Sequence, residues 1–210
     1  MSINQKLTTN IAMIKLSIEK ILIAIVKHLD GNLTISSLEE ILKMSHVGVW
    51  KAIKKLESEG MIILKTAGNK KNSPYIIHLN WNNSLVSKTL ALAIEQEALK
   101  HKRWLFNFVE LESKVDFLIL YGSILFSEKE ASEIDILSII SKKNISMEID
   151  RAIIKIQQTQ IKPIHNIILS PDGLKDEIKK PNMAFVSAIK EGVVLFGHDK
   201  FVAFMKEMQQ

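Results

Sequence analysis

Glu133 and Asp135 stand two residues apart in residues 133–140, an apolar run that alternates as a β-strand does. Both carboxylates therefore leave the same face of that strand. Upstream, separated by residues 124–132, lies Gly122-Ser123, which closes a second apolar run over residues 115–121. Paired carboxylates suit a hard divalent cation. A glycine turn lets backbone N–H groups approach phosphate, and the Ser123 hydroxyl adds a donor. The combination suits a magnesium–triphosphate site; the alternative is two acidic residues on an exposed strand face. A second group of residues is cationic. Lys51, Lys54 and Lys55 fall on one apolar-periodic segment, and Lys70 and Lys71 lie in a polar loop after it. Lysines so grouped suit the phosphates of a polyanion.

These residues depend on the elements around them. In residues 11–29, Ile11, Ile14, Ile18, Ile21, Leu22, Ile25 and Leu29 recur every three or four positions, the spacing of a helix with one buried face. Asp30-Gly31-Asn32 stops it, and Leu33-Thr34-Ile35 is short and β-prone. Ser36 and Ser37 offer N-caps for the next helix, with Ser37 and Glu40 spaced as a capping box. That helix covers Leu38, Ile41 and Leu42 and ends near Met44. Ser45 caps a third helix whose inner face is Val49, Ile53 and Leu56, and Gly60 closes it. Two β-prone runs, 61–66 and 75–79, flank the loop that carries Lys70 and Lys71.

This order, and the run from Met44 to Glu57 followed by Ser58-Glu59-Gly60-Met61-Ile62, resembles the winged helix-turn-helix domains of prokaryotic regulators over roughly residues 10–80. The resemblance implies that the third helix reads double-stranded DNA, with Ser45, His46, Val47, Trp50, Lys51, Lys54 and Lys55 at the groove and Lys70 and Lys71 reaching the backbone from the wing. Trp50 is equally well read as a packing residue. Charge agrees with this placement: residues 1–84 hold eleven lysines, no arginine and six acidic residues, whereas residues 85–210 balance seventeen basic against seventeen acidic.

Residues 85–112 lack Gly and Pro and read as one long helix. Leu85, Leu92, Leu99 and Phe106 lie seven apart, a repeat that suits helix–helix packing, either in a homodimer or within the chain. Beyond it a helix is expected over 147–158, a strand over 164–169, a helix opened by Ser170-Pro171-Asp172, and a helix from Phe185 running into an apolar end at Phe196.

The hydrophobic strand, Gly122-Ser123, nine intervening residues and Glu133-Ile134-Asp135 resemble the minimal nucleotidyltransferases of the DNA polymerase beta superfamily. The resemblance implies that Glu133 and Asp135 bind Mg2+ and act in catalysis while Gly122 and Ser123 hold an NTP. The chain departs from that pattern in three places. Glu133 stands where Asp is usual, the 164–169 strand offers His165-Asn166 where a third carboxylate belongs, and the loop after Ser123 is the apolar Ile124-Leu125-Phe126. His165 is a substitute base on one reading and a structural histidine on the other.

The expected architecture is thus a two-domain α+β and α/β chain. A winged helix-turn-helix (1–84) is followed by a connecting helix (85–112) and a small mixed-sheet nucleotidyltransferase-like domain (113–210). Three functions follow: a DNA-binding protein whose second domain is retained or degenerate, an active nucleotidyltransferase modifying a protein or RNA partner in the antitoxin manner, and a non-enzymatic dimeric transcriptional regulator. Cysteine is absent, which excludes disulfides and thiolate metal sites. The apolar run 11–26 carries Lys15, Glu19 and Lys20, so no membrane span is expected and a cytoplasmic location is.

Overall fold

The structure, a computed structural model, describes residues 18–29, 31–68, 73–180 and 183–210. The chain divides into two compact units, the first up to Ala93 and the second from Ile94 to Met208. Among the described residues no helix is long and apolar enough to cross a membrane.

The first unit opens with helix α1, described over 18–27, which buries Ile21, Leu22, Ile25 and Val26. The part of the expected helix before residue 18 lies outside the described residues. Helix α2 (Ile35–Leu42) begins earlier than the serines suggest, because Thr34 is its N-cap. The Thr34 backbone is extended (φ −107°, ψ 170°), which lets its Oγ1 accept from the Ser37 amide at 3.2 Å. Ser37 is thereby placed inside the first turn, its hydroxyl 2.9 Å from that of Thr34, and the expected Ser37–Glu40 box gives way to this cap. Thr34 also bridges Ile76, and the Ile77 amide donates to the Leu33 carbonyl at 2.9 Å. One residue, Lys43, takes the left-handed conformation (φ 52°) that ends α2. Ser45 then caps α3 (His46–Ser58), its Oγ accepting from the Gly48 amide at 3.3 Å. The apolar spacing of α3 buries Val49, Ala52, Ile53 and Leu56. Gly60, at φ +67°, ends it, and the chain enters the antiparallel hairpin β1 (Ile62–Thr66) and β2 (Tyr75–Leu79).

Helix α4 (Ser84–Ala98) leads from the first unit into the second. It does not continue to Glu112 as a single helix: a 3-10 turn (Leu99–His101), helix α5 (Lys102–Phe108) and a second 3-10 turn (Val109–Leu111) follow. Val86, Leu90, Ile94 and Ala98 recur in steps of four, and Trp104 and Phe108 follow Val86 and Leu90 by eighteen residues, the spacing that would keep them on the same face of an unbroken helix. Beyond the 3-10 turn both aromatics enter the core, their rings 6.1 Å apart. Leu85, Leu92, Leu99 and Phe106, the seven-residue repeat, remain 50–81% exposed.

The second unit is built on a four-stranded sheet in the order β5-β4-β3-β6. Strand β3 (Phe117–Tyr121) pairs antiparallel with β4 (Ile134–Ile139) and with β6 (Val193–Phe196), while β4 pairs parallel with β5 (Ile164–Leu169) through helix α6 (Ser146–Gln157). Helices α7 (Pro171–Lys179), α8 (Met183–Glu191) and α9 (His198–Gln209) complete it. Leu118, Leu120, Ile134 and Ile136 share a core with Trp104, Phe108, Ile149 and Ala152. From the opposite face, Phe117 meets Phe201 and Phe204 with ring centroids 5.5 Å apart. A sheet covered on both faces needs strands apolar at nearly every position, as β3 and β4 are. The apolar end after α8 is an edge strand rather than a helix terminus. Gly197 (φ +76°) follows it, where a Cβ would stand 1.9 Å from the Asp116 carbonyl oxygen.

Candidate functional site

The antiparallel register places Tyr121 opposite Asp135, and the parallel register places Asp135 opposite His165. Glu133 lies one residue before β4 on the same side as Asp135. These rules of pleating alone bring four polar side chains to one end of the sheet. The ligand atoms of Glu133, Asp135 and His165 all lie within 4.8 Å of one another, and His165 Nδ1 is 3.2 Å from Asp135 Oδ1. Asp135 is the sheltered member, its side chain 15% exposed against 56% for His165.

Gly122 makes this closeness feasible. Its backbone is at φ +81°, and a Cβ there would lie 2.5 Å from Asp135 Oδ2. Ser123 is exposed and begins a short 3-10 turn to Leu125. The apolar loop divides: Ile124 is buried in the core and Phe126 is 77% exposed. Tyr121 is a member that sequence reasoning missed. Burial first, then the charges of Asp135 and Glu133, push its phenol up to about 12. The signal in the sequence was only its place directly before Gly122; its pairing with Asp135 is set by the sheet register. As a donor set, two carboxylates and an imidazole fit a divalent cation; imidazole suits transition metals, and carboxylates suit magnesium or manganese.

In the first unit, α3 presents a different surface. With Val49, Ala52, Ile53 and Leu56 buried, His46, Val47, Lys51, Lys54 and Lys55 are exposed. Several are engaged. His46 Nδ1 is 2.5 Å from Glu39 Oε1. Lys54 donates to Glu57 at 2.7 Å and lies 4.9 Å from the centre of the Trp50 ring. Lys55 is 3.9 Å from Glu59. Trp50 is half-buried, its ring 6.4 Å from that of Tyr75 on β2. On the same strand, burial and then the neighbouring Lys65 lower the His78 pKa.

A family described as "HTH domain" matches residues 19–69. The first unit carries a helix-turn-helix DNA-binding domain. No curated protein and no solved structure matches the chain. The matched stretch of this helix-turn-helix domain runs from α1 through α2, the three-residue turn 43–45 and α3 into the hairpin. Lys70 and Lys71, expected at the DNA backbone, lie outside the described residues. Ser45 is placed as the cap of α3, where its Oγ serves the Gly48 amide. Trp50 is placed as a packing residue between α3 and the hairpin, consistent with its half-buried state.

Proposed function

We propose that this DNA-binding protein is a regulator that docks α3 of a winged helix-turn-helix domain in the major groove of duplex DNA. The observation that carries the reading is the coincidence of the family match at 19–69 with a third helix that buries its apolar face and exposes Val47, Lys51, Lys54 and Lys55. Lys51, Lys54 and Lys55 supply phosphate contacts, to which Lys70 and Lys71 would add, while Ser45, His46 and Val47 lie at or near base edges. Two copies read paired half-sites. Leu85 and Leu92 on α4, both more than half exposed, support such pairing. The test is an electrophoretic shift of duplex DNA across salt concentrations with the wild type and the Lys51→Ala/Lys54→Ala variant. A shift that weakens with salt and is lost in the variant is expected; indifference to the substitutions refutes the reading.

A second reading concerns the α/β unit, and the convergence of Glu133, Asp135 and His165 favours it. Glu133 and Asp135 hold Mg2+ and Gly122 with Ser123 bind an NTP, in the manner of the nucleotidyltransferases that this stretch resembles. The metal, when bound, would neutralise phosphate charge. The chain's own residues do the rest: Gly122 leaves room at Asp135, Ser123 offers a hydroxyl, and His165 orients the Asp135 carboxylate. Because β5 brings an imidazole and no carboxylate, nucleotide binding without transfer is the form we favour. Calorimetry of ATP or GTP with and without magnesium, on the wild type and on Asp135→Ala, decides it: magnesium-dependent binding lost in the variant is expected, and no binding to either protein rejects it. Incorporation of labelled NTP into a protein or RNA acceptor would instead mark an active transferase.

A further inference from the structure

Sequence-specific DNA binding needs groups that touch base edges, and this helix-turn-helix domain offers few that can hydrogen-bond. Residues 1–84 contain no arginine, so the planar fork that pairs with guanine O6 and N7 is missing. On the exposed face of α3 the polar side chains are largely spoken for. His46 lies against Glu39 at 2.5 Å, Lys54 binds Glu57 and covers the Trp50 ring, and Trp50 is half-buried near Tyr75. In the first turn of the helix, the side chain that stands clear is apolar. Val47, the second residue of α3, is 59% exposed. It sits in the first turn, the part of a recognition helix that reaches base edges. A valine cannot read a donor or an acceptor. In the major groove the base-edge group that rewards apolar contact is the C5-methyl of thymine.

We propose that Val47 packs against thymine methyl groups, so that the domain selects A·T-rich duplex DNA. The inference rests on the DNA-binding reading above. Lys51 follows one turn after Val47 and anchors the phosphate beside the methyl contact, which sets how deeply the first turn enters the groove.

The test uses the full chain. Duplexes recovered from a random-sequence pool at moderate salt are sequenced, and the best one is remade with deoxyuridine in place of thymidine at single positions. This substitution deletes the methyl group and keeps the hydrogen-bonding pattern. Enrichment of A·T pairs is expected, with about a fourfold loss of affinity at each contacted position, the factor one buried methyl group is worth. Val47→Ala is expected to lose a similar factor and to bind thymidine and deoxyuridine duplexes alike, while Val47→Thr, which keeps one methyl, falls between. A G·C-rich consensus would assign base reading to Lys51 and overturn the proposal. Equal binding of the two duplexes by the wild type, or discrimination that survives in Val47→Ala, overturns it too. Salt-sensitive binding without any sequence preference sinks the thymine contact and leaves DNA binding standing, whereas no binding to any duplex removes both.

Discussion

Gly122 is held by two independent constraints, a left-handed backbone (φ +81°) and the 2.5 Å that would separate a Cβ from Asp135 Oδ2. Gly31 carries the first constraint alone, at φ +67° with nothing within 4 Å. Gly122→Ala should therefore cost about 2 kcal/mol by urea denaturation, and Gly31→Ala less. Adding Asp135→Ala should return part of the Gly122→Ala loss, because the clash partner is gone; a strictly additive double variant would show that the contact contributes nothing. Tyr121 gives a second check. With only two tyrosines in the chain, the absorbance of tyrosinate should include a late phase near pH 12 that is absent in Tyr121→Phe. Asp135→Asn should bring that late phase to lower pH, since the Asp135 charge is one of the causes that raise it. The sign for stability follows. The unfolded phenol loses its proton near pH 10 and the folded one near 12, so the folded state binds more protons in that window. Stability from this group is then full below pH 10 and falls as pH rises towards 12. Gly122, Ser123, Glu133 and Asp135 could be picked out from their spacing. Tyr121 could not, because its partner across the sheet is set by register.

At the scale of elements, capping decides where the two helices of the helix-turn-helix begin. Ser45→Ala and Thr34→Ala each remove a side-chain acceptor from a first-turn amide and should cost about 1 kcal/mol, read as a lower denaturation midpoint of the first unit. Ser36→Ala should cost far less, since Ser36 is exposed within the first turn and the cap is Thr34. The start of α3 was readable because Ser45 directly precedes an apolar repeat. The start of α2 was not, because three hydroxyl residues crowd positions 34–37 and only the pairing of Thr34 with Ile76 fixes which of them is extended. The connector shows the same limit. Nothing in its composition breaks a helix, and the break at 99–101 is visible only in the folded chain.

Across the whole molecule, charge is segregated: the excess of lysine lies within residues 1–84 and the remainder is balanced. The salt dependence of DNA binding should reflect individual lysines unequally. Lys51→Ala should reduce the slope of log affinity against log salt by about one, the share of one phosphate contact. Lys54→Ala should reduce it by less, because that ammonium already lies on Glu57 and the Trp50 ring. Equal effects from the two would mean that Lys54 leaves both partners on binding DNA.

The amino-acid sequence by itself determined whatever depends on neighbours along the chain: the periodic faces of α1 and α3, the hairpin after Gly60, the strands flanking Gly122-Ser123, and the location of the lysines. These follow from the 3.6- and two-residue repeats and from the conformational limits of glycine and capping residues. The tertiary structure decided what depends on residues far apart in the chain. It paired Tyr121 with Asp135 and Asp135 with His165, made 193–196 an edge strand, broke the connector at 99–101, and gave His46 and Lys54 partners while Val47 stayed exposed. The physical reason is that strand register and helix phase are set by burial of a shared core, and no local pattern carries that information.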